Sequence, residues 1–154
     1  IIFVPYQNFS GKAVINYTGI EYLDDEDDVT YSGKINITVK AVQEIPTLKL
    51  DADFDDDEIE VDFVEKLEDL INDDIADFDD LDYVKFKLPE EGTLRIKLES
   101  NDAASKVKES SSYQLDEIEY ISYTFEDDGT VDLTYTVYDN SGKAYNGVIR
   151  INIE

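Results

Sequence analysis

Gly129-Thr130-Val131-Asp132-Leu133-Thr134-Tyr135-Thr136, followed by Tyr145-Asn146-Gly147-Val148-Ile149-Arg150-Ile151, occurs twice in this chain. The earlier version is Gly11-Lys12-Ala13-Val14-Ile15-Asn16-Tyr17-Thr18, followed by Tyr31-Ser32-Gly33-Lys34-Ile35-Asn36-Ile37. Gly129 stands 118 positions after Gly11, and Gly147 stands 114 positions after Gly33. A four-residue insertion in one hairpin loop accounts for the difference. The first copy has Asp24-Asp25-Glu26-Asp27-Asp28 there, and the second has Asp139-Asn140-Ser141-Gly142. Self-similarity at a fixed spacing is the mark of a repeat-built protein.

Both copies alternate with period two, the pattern of half-buried strands. Val131, Leu133, Tyr135 and Val137 alternate with Asp132, Thr134 and Thr136. Ile149, Ile151 and Ile153 alternate with Arg150 and Asn152. In the first copy Ala13, Ile15 and Tyr17 share a face, as do Ile35, Ile37 and Val39. Gly142 can supply the positive φ that a tight hairpin turn needs.

Between the copies the period changes once. Leu48, Leu50, Ala52 and Phe54 alternate as a strand. Phe63, Val64, Leu67, Leu70 and Ile71 then fall on one face of a helix. Asp62 with Glu65 makes a capping-box-like start, so one short helix is expected near 62–73. Period two returns at Val84, Phe86 and Leu88 and again at Leu94, Ile96 and Leu98, with Pro89-Glu90-Glu91-Gly92 as a turn. These two strands are expected to form a hairpin. Residues 100–112 read as a Ser-rich loop, and Ile121, Tyr123 and Phe125 open the second copy of the repeated ending.

The chain therefore reads as all-β with one inserted helix. Residues 46–154 form a complete module, and Ala41-Val42-Gln43-Glu44-Ile45-Pro46 precedes it as a linker. Residues 1–40 read as the last three strands of a preceding repeat. Ile1-Ile2-Phe3-Val4 looks like a strand and no signal peptide is evident, which leads to the expectation of a mature or trimmed fragment. Three strands with an apolar face are marginal alone. They must pair with the second module, a neighbouring subunit or further chain.

Composition excludes several kinds of chemistry. The 154 residues carry 13 Lys and Arg against 38 Asp and Glu, a net charge of −25. Such a surface repels nucleic-acid phosphates and anionic membranes, and suits divalent cations, high salt or basic partners. No stretch approaches a membrane span, so no membrane insertion is expected. The chain has no Cys, His, Met or Trp. Disulfides, ordinary zinc sites and Ser–His or Cys–His nucleophile pairs are thereby excluded. A two-carboxylate mechanism survives this cut, but no motif supports it, and the expectation is not an enzyme.

The ordered series Asp79-Asp80-Leu81-Asp82-Tyr83-Val84-Lys85-Phe86, Pro89, Gly92-Thr93-Leu94, Tyr120-Ile121-Ser122-Tyr123-Thr124, Gly129 and Tyr135-Thr136-Val137-Tyr138-Asp139 with Gly142 resembles the cadherin-like repeats of bacterial surface proteins. It is most similar to repeats of Gram-positive proteins that carry surface-layer-homology domains. The resemblance covers residues 46–154 and, for its last third, residues 1–40. It implies an immunoglobulin- or cadherin-like β-sandwich in an extracellular stalk, fibre or surface layer. It also implies a spacer or adhesive role, often with Ca²⁺ at module ends. This chain is much more acidic than that pattern, and it shows neither an anchoring domain nor a complete second repeat.

The acidic clusters are the only candidates for metal chemistry. Asp51, Asp53 and Asp55 at alternate positions, with Asp77 and Asp79 after the helix, are the candidate Ca²⁺ ligands. Ca²⁺ takes six to eight oxygens, often from loop carboxylates, although no EF-hand spacing is present. The competing reading is a solvated acidic surface. Tyr17, Tyr135, Tyr31 and Tyr145 recur in both copies and read as packing residues rather than a carbohydrate platform. Asn8-Phe9-Ser10, Asn16-Tyr17-Thr18 and Asn36-Ile37-Thr38 fit the glycosylation acceptor pattern, which is common by chance. The expected function is a structural repeat that assembles with copies of itself or adjacent repeats through β-strand contacts. The alternatives are a Ca²⁺-dependent adhesive module and an engineered domain.

Overall fold

Two long antiparallel hairpins, one near each end of the sequence, share a single register. A computed structural model describes residues 2–5, 11–24, 27–39 and 43–154. Strand β1 (Gly11–Glu21) pairs β2 (Val29–Val39), so that Gly11 faces Val39, Ile15 faces Ile35 and Tyr17 faces Gly33. Gly129, Leu133 and Tyr135 face Ile153, Ile149 and Gly147 in the later hairpin. The repeat seen in the sequence is thus a repeat of pairing, residue for residue. The chain forms two compact units, residues 1–42 and 43–154.

The second unit is a two-sheet structure. Its remaining strands are β3 (Gln43–Glu44), β4 (Leu48–Ala52), β5 (Glu58–Val61), β6 (Leu81–Phe86), β7 (Thr93–Leu98), β8 (Ser105–Lys106), β9 (Tyr113–Gln114), β10 (Ile118–Thr124), β11 (Gly129–Asp139) and β12 (Ala144–Ile153). One sheet runs β5-β10-β7-β8. The other runs β3-β12-β11-β6-β9, and β4 follows β3 along the outer edge of β12, both parallel to it. The long strands alternate as their sequence requires. Leu133, Tyr135 and Val137 of β11 and Ile149, Ile151 and Ile153 of β12 are buried, while Asp132 and Arg150 face water and form a bidentate ion pair at 2.8 Å. The all-β sandwich with one short helix is what the structure shows.

Helix α1 (Phe63–Leu70) begins where Asp62 accepts the backbone N–H of Glu65 at 3.3 Å, which satisfies an orphan first-turn donor. Phe63 and Leu67 are its buried residues. It ends before residue 73 because Asn72 folds the backbone back, its side chain accepting the Asp74 N–H and its carbonyl the Ile75 N–H.

Several sequence readings are corrected. β6 and β7 do not form a hairpin. β6 pairs β11 in one sheet and β7 pairs β10 in the other, so the 87–92 segment crosses between layers. Alternation looks the same whether two consecutive strands pair edge to edge or face each other across a core, and consecutive strands are neighbours only about two-thirds of the time. Glu58–Val61, which the sequence pattern does not identify, is a strand against β10. Gln43-Glu44, read as linker, pairs β12, and Ile45 beside it is buried. The 100–112 segment contains the short strand β8, followed by buried Val107. Residues 2–5, although apolar, belong to no strand. Ile1, Asn8-Phe9-Ser10, Asp25-Glu26 and Ala41-Val42 lie outside the described residues.

Candidate functional site

The two hairpins differ in what covers them. On β11 and β12, Tyr135, Tyr145 and Ile149 are 2%, 3% and 0% exposed. Their equivalents Tyr17, Tyr31 and Ile35 are 52%, 55% and 43% exposed. The register places Ala13, Ile15, Tyr17, Val29, Tyr31, Ile35, Ile37 and Val39 on one face of the first hairpin, with Glu21 at its end. Of these, Tyr17, Val29, Tyr31 and Ile35 are exposed while Ala13, Ile15, Ile37 and Val39 are half-buried. The opposite face carries Lys12, Asn16, Thr18, Ser32, Lys34 and Asn36, together with exposed Val14 and Ile20. Among the described residues, the outer edges of β1 and β2 are unpaired. A face of this size next to two open ladder edges is what a partner-binding surface looks like.

The local chemistry of the two hairpins is also repeated. Each places a Tyr ring over a Gly on the facing strand, Tyr17 over Gly33 and Tyr135 over Gly147, where a Cβ would collide with the ring. Each also places a Tyr hydroxyl on an acid at the matching position. Tyr31 donates to Glu21 at 3.0 Å, and Tyr145 donates to Asp139 at 3.2 Å. At Gly147, under the buried Tyr135 ring, this contact requires glycine.

The Asp139 turn is a saturated acceptor. One carboxylate oxygen takes the Ser141 N–H at 2.9 Å, the Ser141 hydroxyl at 2.6 Å and the Lys143 N–H at 2.9 Å. The Ser141 hydroxyl, with the other donors, holds the Asp139 carboxyl below its usual range. Gly142 follows at φ 83°, as the tight turn requires. Burial pushes the Tyr135 phenol well above its usual value. Burial, and then the Glu91 charge, raises that of Tyr123, whose hydroxyl donates to the Glu91 carbonyl at 2.9 Å.

Of the candidate Ca²⁺ ligands, the carboxylates of Asp51, Asp53 and Asp77 accept hydrogen bonds. Asp51 lies on β4 and accepts from the Asn152 side chain at 3.4 Å. Asp53 accepts the Asp55 N–H at 3.0 Å and opens a short turn at 54–56. Asp77 does the same for Asp79 at 3.1 Å before the turn at 78–80. These carboxylates cap short turns, an ordinary use for Asp. Among the described residues, no group of three or more acidic side chains is brought together in a metal-holding arrangement. Asn16 and Asn36 lie exposed on the polar face of the first hairpin.

One surface feature was not legible in the sequence. Tyr83 and Tyr138 stack at 4.8 Å as direct partners across β6 and β11, with the Lys85 ammonium 5.9 Å from the Tyr138 ring. Only the pairing of β6 with β11 brings them together, and nothing local announces it.

Among the described residues no helix is long and apolar enough to cross a membrane. In comparisons with known proteins, no family model and no curated sequence matches this chain.

Proposed function

We propose that this chain is a structural repeat of an extracellular bacterial surface protein or fibre, not an enzyme, and that it assembles through β-strand contacts. One observation carries the reading. The hairpin that closes the second unit has a register-matched twin in which Tyr17, Tyr31 and Ile35 are exposed and, among the described residues, the outer strand edges are unpaired. Such a hairpin supports addition of strands from a partner, where ladder hydrogen bonds supply affinity and alternate side chains supply specificity. The sequence resemblance to cadherin-like repeats of bacterial surface proteins points the same way. The absence of Cys and His from the composition removes ordinary zinc sites and Ser–His or Cys–His nucleophile pairs.

Light scattering of the intact chain over a wide concentration range tests the assembly. The expected result is a mass that rises with concentration, and a variant Ile35→Lys that stays monomeric. An intact chain that is monomeric throughout would sink the proposal.

A further inference from the structure

The face of the first hairpin has a definite occupant, because the second hairpin shows what covers such a face. Along β11, the β6 strand pairs antiparallel, with Phe86 opposite Tyr135 and Val84 opposite Val137. Along β12, the β4 strand pairs parallel, with Leu48, Leu50 and Ala52 opposite Ile149, Ile151 and Ile153. Over the face lies Phe63 of α1, its ring edge-on to Tyr135 at 5.0 Å. All these covering groups come from residues 48–86, with β7 and β10 closing the opposite layer.

From this equivalence we infer that the first hairpin is completed by the front half of another repeat, a polypeptide segment patterned like residues 48–125. This inference rests on the assembly reading and names its partner. The segment supplies a strand antiparallel to β1, with an aromatic residue opposite Tyr17. It supplies a second strand parallel to β2, with apolar residues opposite Ile35, Ile37 and Val39. It also supplies a helix whose first-turn aromatic meets the Tyr17 ring. Residues 48–125 of this same chain already cover β11 and β12, so the occupant is a second such segment.

The fit is close but not identical, and the differences specify the occupant further. Gly19 stands where the second hairpin has Val137, and Ala13 stands where it has Val131. The true occupant therefore carries larger side chains than residues 48–125 do against those two positions, since an interior tolerates little void.

The test places a second copy of residues 43–128 directly before Gly11 of the chain and follows amide exchange in all four hairpin strands. Expected is slowing of the β1 and β2 amides by about a hundredfold or more, toward the protection of β11 and β12, because covered ladders open only with their module. A further Gly19→Val change should increase that protection, since it restores the side chain that residues 48–125 meet at Val137. Unprotected β1 and β2 beside a protected β11 and β12 would overturn the identity of the occupant. If the extended chain does not fold, the 43–128 polypeptide is added to the intact chain, and absence of any slowing in β1 and β2 overturns it equally. The two proposals fail separately. An intact chain that self-associates while the graft leaves the hairpin unprotected loses the occupant and keeps assembly. A monomeric intact chain with a protected graft loses assembly and keeps the occupant.

Discussion

Tyr17 and Tyr135 sit in the same local sequence, face the same glycine and lie in the same register, yet one is half exposed and the other is buried. Pairing within the hairpin is therefore not what distinguishes the two. Coverage is. Around Tyr135, Phe63 and Phe86 form an aromatic cluster with centroid separations of 5.0 and 6.4 Å. Among the described residues, Tyr17 has the same strand pairing without that cluster. The energetic value of a side chain at this position is set by the neighbours that come from elsewhere in the chain, and only secondarily by the hairpin that carries it.

The largest way to break this contrast is truncation of the two rings. Tyr135→Ala should cost about 3–5 kcal/mol, as for a buried aromatic whose site cannot collapse. Tyr17→Ala should cost less than about 1 kcal/mol in the same chain, as for a partly exposed residue. Urea unfolding followed by circular dichroism checks both. Equal losses would mean that the first hairpin is covered after all.

The glycines give a smaller version of the same contrast. Gly147→Ala drives a methyl into a ring that is locked in the core, and should destabilise by about 1–3 kcal/mol. Gly33→Ala meets the same ring where it can swing into solvent, so the change should stay within about 0.5 kcal/mol. Thermal melts of the two variants measured side by side decide this.

Asp139 allows a test by pH. Its folded carboxyl binds a proton less tightly than the unfolded chain, whose value is near 3.8. Its contribution is therefore complete above that value and is lost as the pH falls through the lower folded one. Asp139→Ala should lower the melting temperature at neutral pH, and the gap from the unaltered protein should close in strong acid. A gap that stays constant with pH would show that the carboxylate's hydrogen bonds to Ser141 and Lys143 contribute nothing.

The smallest expected effect is that of Ca²⁺. Asp53 and Asp77 are engaged as turn caps, and no acidic group of metal-holding arrangement occurs among the described residues. Millimolar Ca²⁺ should raise the melting temperature no more than NaCl of matched ionic strength, which screens the charge of −25. A larger, saturable rise would reveal a specific site, by the ordinary linkage of native-state binding to stability, and would favour the Ca²⁺-dependent adhesive reading.

The strand faces, the repeat, the Asp62 cap and the turn at Gly142 were all legible in the sequence. Each rests on spacing within a few residues or on a turn residue whose conformation is its own. The short strands β3, β5 and β8 were not, because two to four residues carry too little periodicity and form only where a neighbouring edge accepts them. The proposed metal ligands illustrate the same limit from the other side. Alternate Asp residues suggested convergence, whereas Asp53 turned to the nearest backbone N–H, a partner that any local turn provides.

Residue order alone was enough to state that the chain is built of strands with one helix, that its last hairpin is written twice, and which side of each strand is apolar. Those properties follow from periods of two and 3.6 and need no knowledge of distant residues. Three-dimensional packing alone assigned β6 and β7 to different sheets, brought Tyr83 onto Tyr138, and left Tyr17, Tyr31 and Ile35 exposed where their equivalents are buried. Such outcomes depend on which remote segment reaches a given edge first and fills it. Two such similar local patterns cannot carry that information, so the first hairpin shares its twin's internal register but, among the described residues, not the burial of Tyr135, Tyr145 and Ile149.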